Sequence, residues 1–279
     1  MSGLVLVTGA TGKTGRSLVS LLAESGVAYR TASRGGAPRF DWSQAKTWDA
    51  ALEGVASVYL VVPPAVDDAP SRMAAFLESA MRKGVHRFVL LSMASLPAGG
   101  PGSGQVHQWL KDNSEDWAVL CPSAFMQNFS EGLNLASIRD EDTIYSNTGT
   151  GRVPFISTVD IARAAFAALT APAALNSELT LTGVESISYD RVAELISQAC
   201  GRPILHTQIS TAAMAERFVS RGLPEGTATF LAAAYQTIAG GWQDRTAEGF
   251  RTLTGGSPMT FQAFAAANAD VWKRAQAAV

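Results

Sequence analysis

The residues whose types and spacing point first to chemistry are Gly9, Gly12 and Gly15, within Val5-Leu6-Val7-Thr8-Gly9-Ala10-Thr11-Gly12-Lys13-Thr14-Gly15-Arg16. A β-branched, apolar run ends at the first glycine. A helical pattern follows at once, with Leu18, Leu21 and Leu22 on one face and Gly26 placed to end it. Strand, glycine turn and helix start leave backbone N–H groups unpaired and aim the positive end of the helix dipole at one spot, where an anion fits. In a dinucleotide fingerprint the first glycine permits the tight turn, the second lets a pyrophosphate approach, and the third lets the helix pack close to the strand. The turn from Gly9 to Gly15, with Thr11, Lys13 and Thr14, is therefore the expected pyrophosphate site. Gly12-Lys13-Thr14 also mimics the end of the phosphate loop of nucleotide hydrolases, but that loop needs a glycine where this chain has Val7.

The next choice of chemistry lies at the end of the second strand, read over Ala28 to Arg34 and closed by Gly35-Gly36. A carboxylate there holds the ribose of NAD, whereas an arginine accommodates the extra phosphate of NADP. The chain offers Ser33 and Arg34 and no carboxylate until Asp41, so the expected cofactor is NADP(H). Phe40-Asp41-Trp42 reads as a short third strand with its turn. Asp41 and Trp42 border the adenine ring in one reading, and Trp42 anchors the core in the other. Val58 to Val62 is a continuous apolar strand, as in a parallel sheet buried on both faces, and it stops at Pro63-Pro64. Ligands bind at the carboxyl ends of such strands, which adds Val62 and Pro63 to the cofactor set.

These groups need a frame to position them. Short helices are expected over 47–52 and 106–111, a longer one over 70–83, and strands over 87–92 (the fifth) and 117–122 (the sixth). Between them, 98–104 reads as a glycine-rich mobile loop. The alternation is that of an α/β fold, a Rossmann-type doubly wound parallel sheet. Phe125 to Leu135 reads as helical, 149–152 as a turn before Val153-Pro154-Phe155-Ile156, and a helix starts at Val159 with Asp160 in a structural role. Leu179 to Thr182 is a strand candidate and Ser188 to Cys200 an amphipathic helix. From about residue 205 the chain turns mostly helical, and its last helix, after Thr260, carries Phe261, Phe264, Ala265 and Trp272 on one face. The whole chain, 1–279, is thus expected to be one NAD(P)-binding unit. Its core covers about 1–160, and a small, mostly helical substrate lobe comes mainly from about 123–143 and 185–279. A pocket between core and lobe is the expected substrate site.

Composition narrows the partners. A net charge of −2 gives no electrostatic case for nucleic acid or an anionic membrane surface. The most apolar stretches, around Val58 to Val66 and Ile161 to Leu175, are too short or too interrupted to span a bilayer. Cys121 and Cys200 have no metal-ligand spacing and read as buried thiols, so no metal is expected. Without a signal-peptide pattern, the expectation is a cytoplasmic monomer or homodimer acting on a small molecule.

With these pieces placed, the chain resembles the NmrA-like atypical short-chain dehydrogenase/reductases. The resemblance rests on the glycine turn, Arg34, the strand ending Leu91-Ser92, Val153 to Ile156, and Asp160-Ile161-Ala162. It is similar in particular to the subgroup of festuclavine and agroclavine dehydrogenases of ergot alkaloid biosynthesis. The segments Val106-His107-Gln108-Trp109-Leu110 and Trp117 to Phe129 carry that likeness. The resemblance implies reduction of a cyclic iminium ion by NADPH, and it places Pro122 and Phe125 beside the nicotinamide. Relatives usually carry arginine where this chain has Cys121, which leaves any contact of that arginine without a counterpart.

Most short-chain dehydrogenases move a proton through a Tyr-x-x-x-Lys pair. Four positions after Tyr29, Tyr59, Tyr145, Tyr189 and Tyr235 stand Ser33, Pro63, Gly149, Ala193 and Ala239, so that pair is absent. An iminium carbon is already cationic and needs only placement against the nicotinamide. A quinone or enone instead needs an oxyanion donor or proton source, for which Ser92 and His107 are the candidates. Ser92 is otherwise a backbone cap and His107 a surface or structural histidine. Phe125 reads as a wall of the substrate pocket and Asn128 as a polar contact, or both as packing and capping. The rival to a reductase is a non-catalytic NADP(H)-sensing regulator of NmrA type.

Overall fold

The computed structural model describes residues 3–63 and 66–274. Pro64, expected at the end of an apolar strand, lies outside the described residues. In chain order the elements are β1 (Leu4–Thr8), α1 (Lys13–Glu24), β2 (Tyr29–Ala32), α2 (Trp48–Leu52), β3 (Val55–Val61), α3 (Ala69–Arg82), β4 (Arg87–Leu91), α4 (Ser103–Asn113) and β5 (Trp117–Pro122). They continue with α5 (Leu135–Glu141), β6 (Thr143–Ser146), β7 (Arg152–Val153), α6 (Thr158–Leu169), β8 (Ser177–Leu181), β9 (Ile187–Ser188) and α7 (Tyr189–Cys200). The last are β10 (Leu205–Gln208), α8 (Thr211–Ser220), α9 (Glu225–Ala239), α10 (Gly249–Thr254) and α11 (Phe261–Ala267).

The described residues divide into two compact units. The first comprises the chain up to Pro122, Thr158–Leu181 and Glu248–Ser257. Its six strands form one sheet in the order β2-β1-β3-β4-β5-β8, every pair parallel. Consecutive residues such as Leu6-Val7, Val58-Tyr59-Leu60 and Phe88-Val89-Leu90 are all sealed, because helices cover both faces and leave no alternation. The strand order runs one way from β1 to β2 and the other way from β3 onward. The carboxyl ends of β1 and β3 therefore flank the topological switch point where such sheets bind ligands. This is the Rossmann-type doubly wound sheet.

One expected strand is missing from that sheet. Phe40-Asp41-Trp42 is an irregular turn, so Arg87–Leu91 is the fourth strand and Trp117–Pro122 the fifth. The reason is local competition for backbone groups. Thr47 Oγ1 accepts the Asp41 N–H at 3.0 Å, Trp48 Nε1 donates to the Asp41 carbonyl at 3.0 Å, and the Asp41 carboxylate accepts the Ser43 N–H at 3.0 Å. The apolar rings that suggested a strand instead form a knot. Phe40 and Trp42 pack edge-on at 4.9 Å, and Phe76 meets them at 5.5 and 5.0 Å.

The second unit comprises Ser123–Ser157, Thr182–Ala247 and the described chain from Pro258. It pairs β6 with β10 in parallel and β7 with β9 antiparallel, so the stretch from residue 205 opens with a strand before its helices. Its core gathers Phe129, Phe155, Tyr189, Phe261 and Phe264, and Trp272 donates its indole N–H to the Phe129 carbonyl at 2.8 Å. Phe125 to Leu135 is not a helix. Phe125 is extended and forms a parallel bridge with Ile156, through Met126 N–H to Ile156 O at 2.9 Å and Ile156 N–H to Ala124 O at 3.0 Å. Those bonds take backbone groups that a helix needs, and only a short turn over Met126–Asn128 follows before α5. Both cysteines are free. Cys121 is buried as expected, whereas Cys200 is half-buried.

Candidate functional site

The geometry at the end of β1 follows from its glycines. Gly9 has φ +62°, a left-handed conformation that favours glycine. The Gly12 N–H closes the turn on the Gly9 carbonyl at 2.9 Å. A Cβ on Gly15 would stand 2.2 Å from Gly9 O and 2.8 Å from its carbonyl carbon, so only glycine lets α1 start this close to the strand. Gly12 caps α1 in an extended conformation with no side-chain hydrogen bond, and no acidic residue occupies the first turn. The helix N-terminus is thus left to an external anion. A dinucleotide's pyrophosphate fits this cradle.

Thr11 is exposed at the rim and Lys13 half-buried, but Thr14 faces inward and is buried. The Tyr59 hydroxyl donates to Thr14 Oγ1 at 3.1 Å. Full burial pushes the Tyr59 phenol far above its ordinary range, so it stays a donor. Thr8 Oγ1 then stitches β1 to β3, donating to the Tyr59 carbonyl at 2.9 Å and accepting the Val61 N–H at 2.9 Å. Accepting from Tyr59 fixes the Thr14 oxygen and leaves its own O–H as a donor beside the backbone N–H.

In the β1–β2 register Thr8 pairs with Ala32, which sets the two strand ends side by side. Arg34, just beyond β2, is exposed and has neither hydrogen bond nor ion pair among the described residues. Ser33 is half-buried, and its carbonyl closes the loop by accepting the Gly36 and Phe40 N–H groups at 3.2 and 2.9 Å. Arg39, in contrast, is held by Asp41 at 3.4 Å. Asp41 also accepts from Gln44 Nε2 at 3.1 Å, so it organises the turn. Trp42 belongs to the aromatic knot described above, as its core reading requires. Val62 and Pro63 lie half-buried just past β3.

Ser92 follows β4 and is buried. Its N–H extends the ladder to Leu120 O at 2.8 Å, the Ala94 N–H reaches the buried Pro122 carbonyl at 3.0 Å, and Ser92 Oγ meets Ser103 Oγ at 3.0 Å. His107 on α4 is no surface residue: it is 2% exposed and packs on the Trp117 ring at 5.7 Å. Burial lowers its pKa against the opposing pull of Glu178, which holds the imidazole neutral near pH 7. In the second unit Phe125 and Asn128 are half-buried, with the Asn128 N–H bound to the Phe125 carbonyl at 3.1 Å. The structure therefore gathers the glycine turn, Ser33, Arg34, Val62 and Pro63 at neighbouring strand ends of the first unit. The Thr14 oxygen, Asp41 and Trp42 also have partners within the first unit.

A constellation absent from the sequence reading lies in the second unit. Ser146 Oγ is 2.7 Å from His206 Nε2, and His206 Nδ1 is 2.9 Å from Asp190 Oδ1, the spacing of a hydrolase triad. Its exposure is the reverse of what nucleophilic chemistry needs. Ser146 is fully buried and also bound to Thr148 Oγ1 at 2.7 Å, whereas the Asp190 side chain is 60% exposed. Ser146 and His206 stand 60 residues apart, and no local pattern announces the pair.

Residues 1–240 match the NmrA-like family, over a chain with the sheet order and glycine turn just described. The chain belongs to the NmrA-like family. Among curated relatives, this NmrA-like chain is 38% identical to the agroclavine dehydrogenase of Claviceps fusiformis, over 96% of this chain and 98% of that protein. It is 35% identical to the festuclavine dehydrogenase of Aspergillus fumigatus, over 97% and 99% of the two. Among solved structures, the NADPH complex of the Escherichia coli quinone oxidoreductase QOR2 superposes with a TM-score of 0.80 at 18% identity. That match covers 94% of this chain and 99% of the other and shows a shared fold. Among the described residues no helix is long and apolar enough to cross a membrane, and no His, Cys, Asp and Glu cluster could hold a metal ion.

Proposed function

We propose that this NmrA-like chain is an NADPH-dependent reductase whose acceptor is already electrophilic: a small cyclic imine or iminium ion, or a conjugated carbonyl such as a quinone or enone. The observation that carries the reading is the pairing of two anion-receptive features on adjacent strand ends. One is the glycine turn with its uncapped helix N-terminus, and the other is the guanidinium of Arg34, which has no partner among the described residues. The first suits a pyrophosphate, the second a 2′-phosphate, and no carboxylate at the end of β2 competes for the ribose. The names of the clavine dehydrogenase relatives support the reductase class.

The bound nicotinamide supplies the hydride. In the first unit Val62, Pro63 and Pro122 are assigned to the nicotinamide, and in the second unit Phe125 and Asn128 are the residues assigned to apolar and polar contact with a substrate. Ser92 is the residue that can give a proton to an acceptor oxygen as negative charge develops there. His107 is sealed and kept neutral, so it acts through packing rather than as an acid near pH 7. Burial pushes the phenols of Tyr59, Tyr189 and Tyr235 upward, which leaves none of them matched to proton transfer at neutral pH. An iminium acceptor needs no acid at all, only a near-attack pose.

The test is NADPH consumption against cyclic imines, quinones and enones, with both cofactors titrated. Turnover of one acceptor class is expected, and Arg34→Ala should weaken NADPH roughly ten- to a hundredfold with NADH unchanged. Equal weakening of both cofactors would remove Arg34 from the phosphate site. Tight NADPH binding without turnover of any acceptor would make the chain a cofactor sensor.

A further inference from the structure

The loop that leaves β2 carries a second arginine besides Arg34. From Ser33 to Phe40 the chain closes on itself, because the Ser33 carbonyl accepts the Phe40 N–H at 2.9 Å and the Gly36 N–H at 3.2 Å. Arg34 directly follows the first residue of that closure and Arg39 directly precedes the last, so both belong to the neck of one loop. Phe40 is 3% exposed and packs edge-on against Trp42 and Phe76, which anchors the returning leg in the core. Next to that anchor Arg39 is exposed, as Arg34 is.

Arg34 has no partner among the described residues, and Arg39 has a weak one. Arg39 Nη2 lies 3.4 Å from Asp41 Oδ2, beyond the usual N–H···O range, and 55% of its side chain is exposed. An exposed pair of this length contributes little, so separating it costs little. Asp41 does not depend on the arginine. Its carboxylate, 14% exposed, also accepts the Ser43 N–H at 3.0 Å and Gln44 Nε2 at 3.1 Å, which bind it into its own turn. Between Ser33 and Phe40 there is no carboxylate. The loop thus offers two guanidinium groups, one without a partner and one held loosely.

We propose that Arg39 is a second ligand of the cofactor's 2′-phosphate: it leaves Asp41 and joins Arg34 on the phosphate when NADPH binds, and stays on Asp41 when NADH binds. The proposal rests on the NADPH reading and makes Arg39 a residue that sets cofactor preference. A phosphate monoester carries close to two negative charges near pH 7, which two guanidinium groups match better than one. The exchange replaces a long, solvated ion pair by charge-assisted bonds to phosphate oxygens. Asp41 is the resting partner and the competitor for the arginine, because its negative charge works against the incoming phosphate.

The experiment titrates the full chain with NADPH and with NADH, which differ only in the 2′-phosphate, and follows cofactor fluorescence. Arg39→Ala should weaken NADPH about tenfold and leave NADH within about twofold. Arg39→Lys, which keeps the charge but not the planar fork, should fall between Arg39→Ala and wild type. Asp41→Asn keeps an acceptor for the Ser43 N–H but removes the competing charge, so it should tighten NADPH about threefold with NADH unchanged. Equal weakening of both cofactors by Arg39→Ala would mark a structural role for the loop and overturn the proposal. So would an Arg39→Ala affinity for NADPH within about twofold of wild type, or a weaker NADPH complex in Asp41→Asn with NADH unchanged. If Arg34→Ala abolishes the preference for NADPH while Arg39→Ala preserves it, Arg34 holds the phosphate alone, and the NADPH reading survives without Arg39. Equal affinity of the wild type for the two cofactors would remove the NADPH reading and the role of Arg39 with it.

Discussion

Two regions of this molecule carry residue types that invite a catalytic interpretation, and they differ in what has been left unpaired. The turn after β1 offers an uncapped helix N-terminus with no acidic residue in its first turn, and Arg34 nearby has no partner among the described residues. The Ser146–His206–Asp190 row of the second unit has triad distances, but its serine is sealed and already bonded to His206 and Thr148, and the member that reaches solvent is Asp190. Chemistry needs reachable groups with unspent hydrogen-bonding capacity, and a buried network with its capacity spent is a fastener. Geometry alone would have ranked the second region first. Accessibility reverses the order.

The largest effect that sharpens this contrast is expected at Gly15. In Gly15→Val the new Cβ meets Gly9 O at 2.2 Å, so the turn must open, and NADPH binding should fall by roughly a hundredfold or more in a fluorescence titration. Normal affinity in a folded Gly15→Val protein would move the anion site away from the turn. Arg34→Ala comes next. It should cost about 1.5–3 kcal/mol of NADPH binding and leave the melting temperature unchanged, because the side chain bonds to nothing else among the described residues.

Ser146→Ala should behave in the opposite way, losing about 1–2 kcal/mol in denaturant unfolding while NADPH turnover is retained. An ester-hydrolase activity that disappears in this variant would break the comparison. The smallest effect concerns His107. Burial lowers its pKa below the ordinary 6.5, so the unfolded chain takes up this proton first as pH falls. Its contribution to stability is full above about pH 6.5 and is lost progressively below it. Wild type should therefore lose more stability than His107→Gln between pH 7.5 and 5.5, and equal losses would show that the imidazole titrates freely.

Much of the fold was legible from local signals. The glycine turn, the apolar strands and the amphipathic α3 and α7 follow from periodicity and turn chemistry within a few residues. The failures share a cause as well. Phe40-Asp41-Trp42 has the composition of a strand, but Thr47 and Trp48 claim the backbone of Asp41. Phe125 to Leu135 has helix-forming residues, but Ile156 pairs with Phe125 in an extended conformation. In the first place side chains a few residues on, and in the second a strand partner 31 residues away, took the backbone groups and overrode propensity.

The candidate site divides the same way. Which residues can receive a pyrophosphate and a 2′-phosphate is written in contiguous sequence, since a turn and a helix start are made by neighbours in the chain. Which polar side chains remain free to act was decided by partners far away. Tyr59 claims the Thr14 hydroxyl from 45 residues off, Glu178 reaches Cys121 across 57, and His206 occupies Ser146 across 60. Local conformation depends on nearby residues, so a linear pattern carries it. Pairing and burial depend on which strands and helices the fold brings into contact, and only the tertiary structure assigns them.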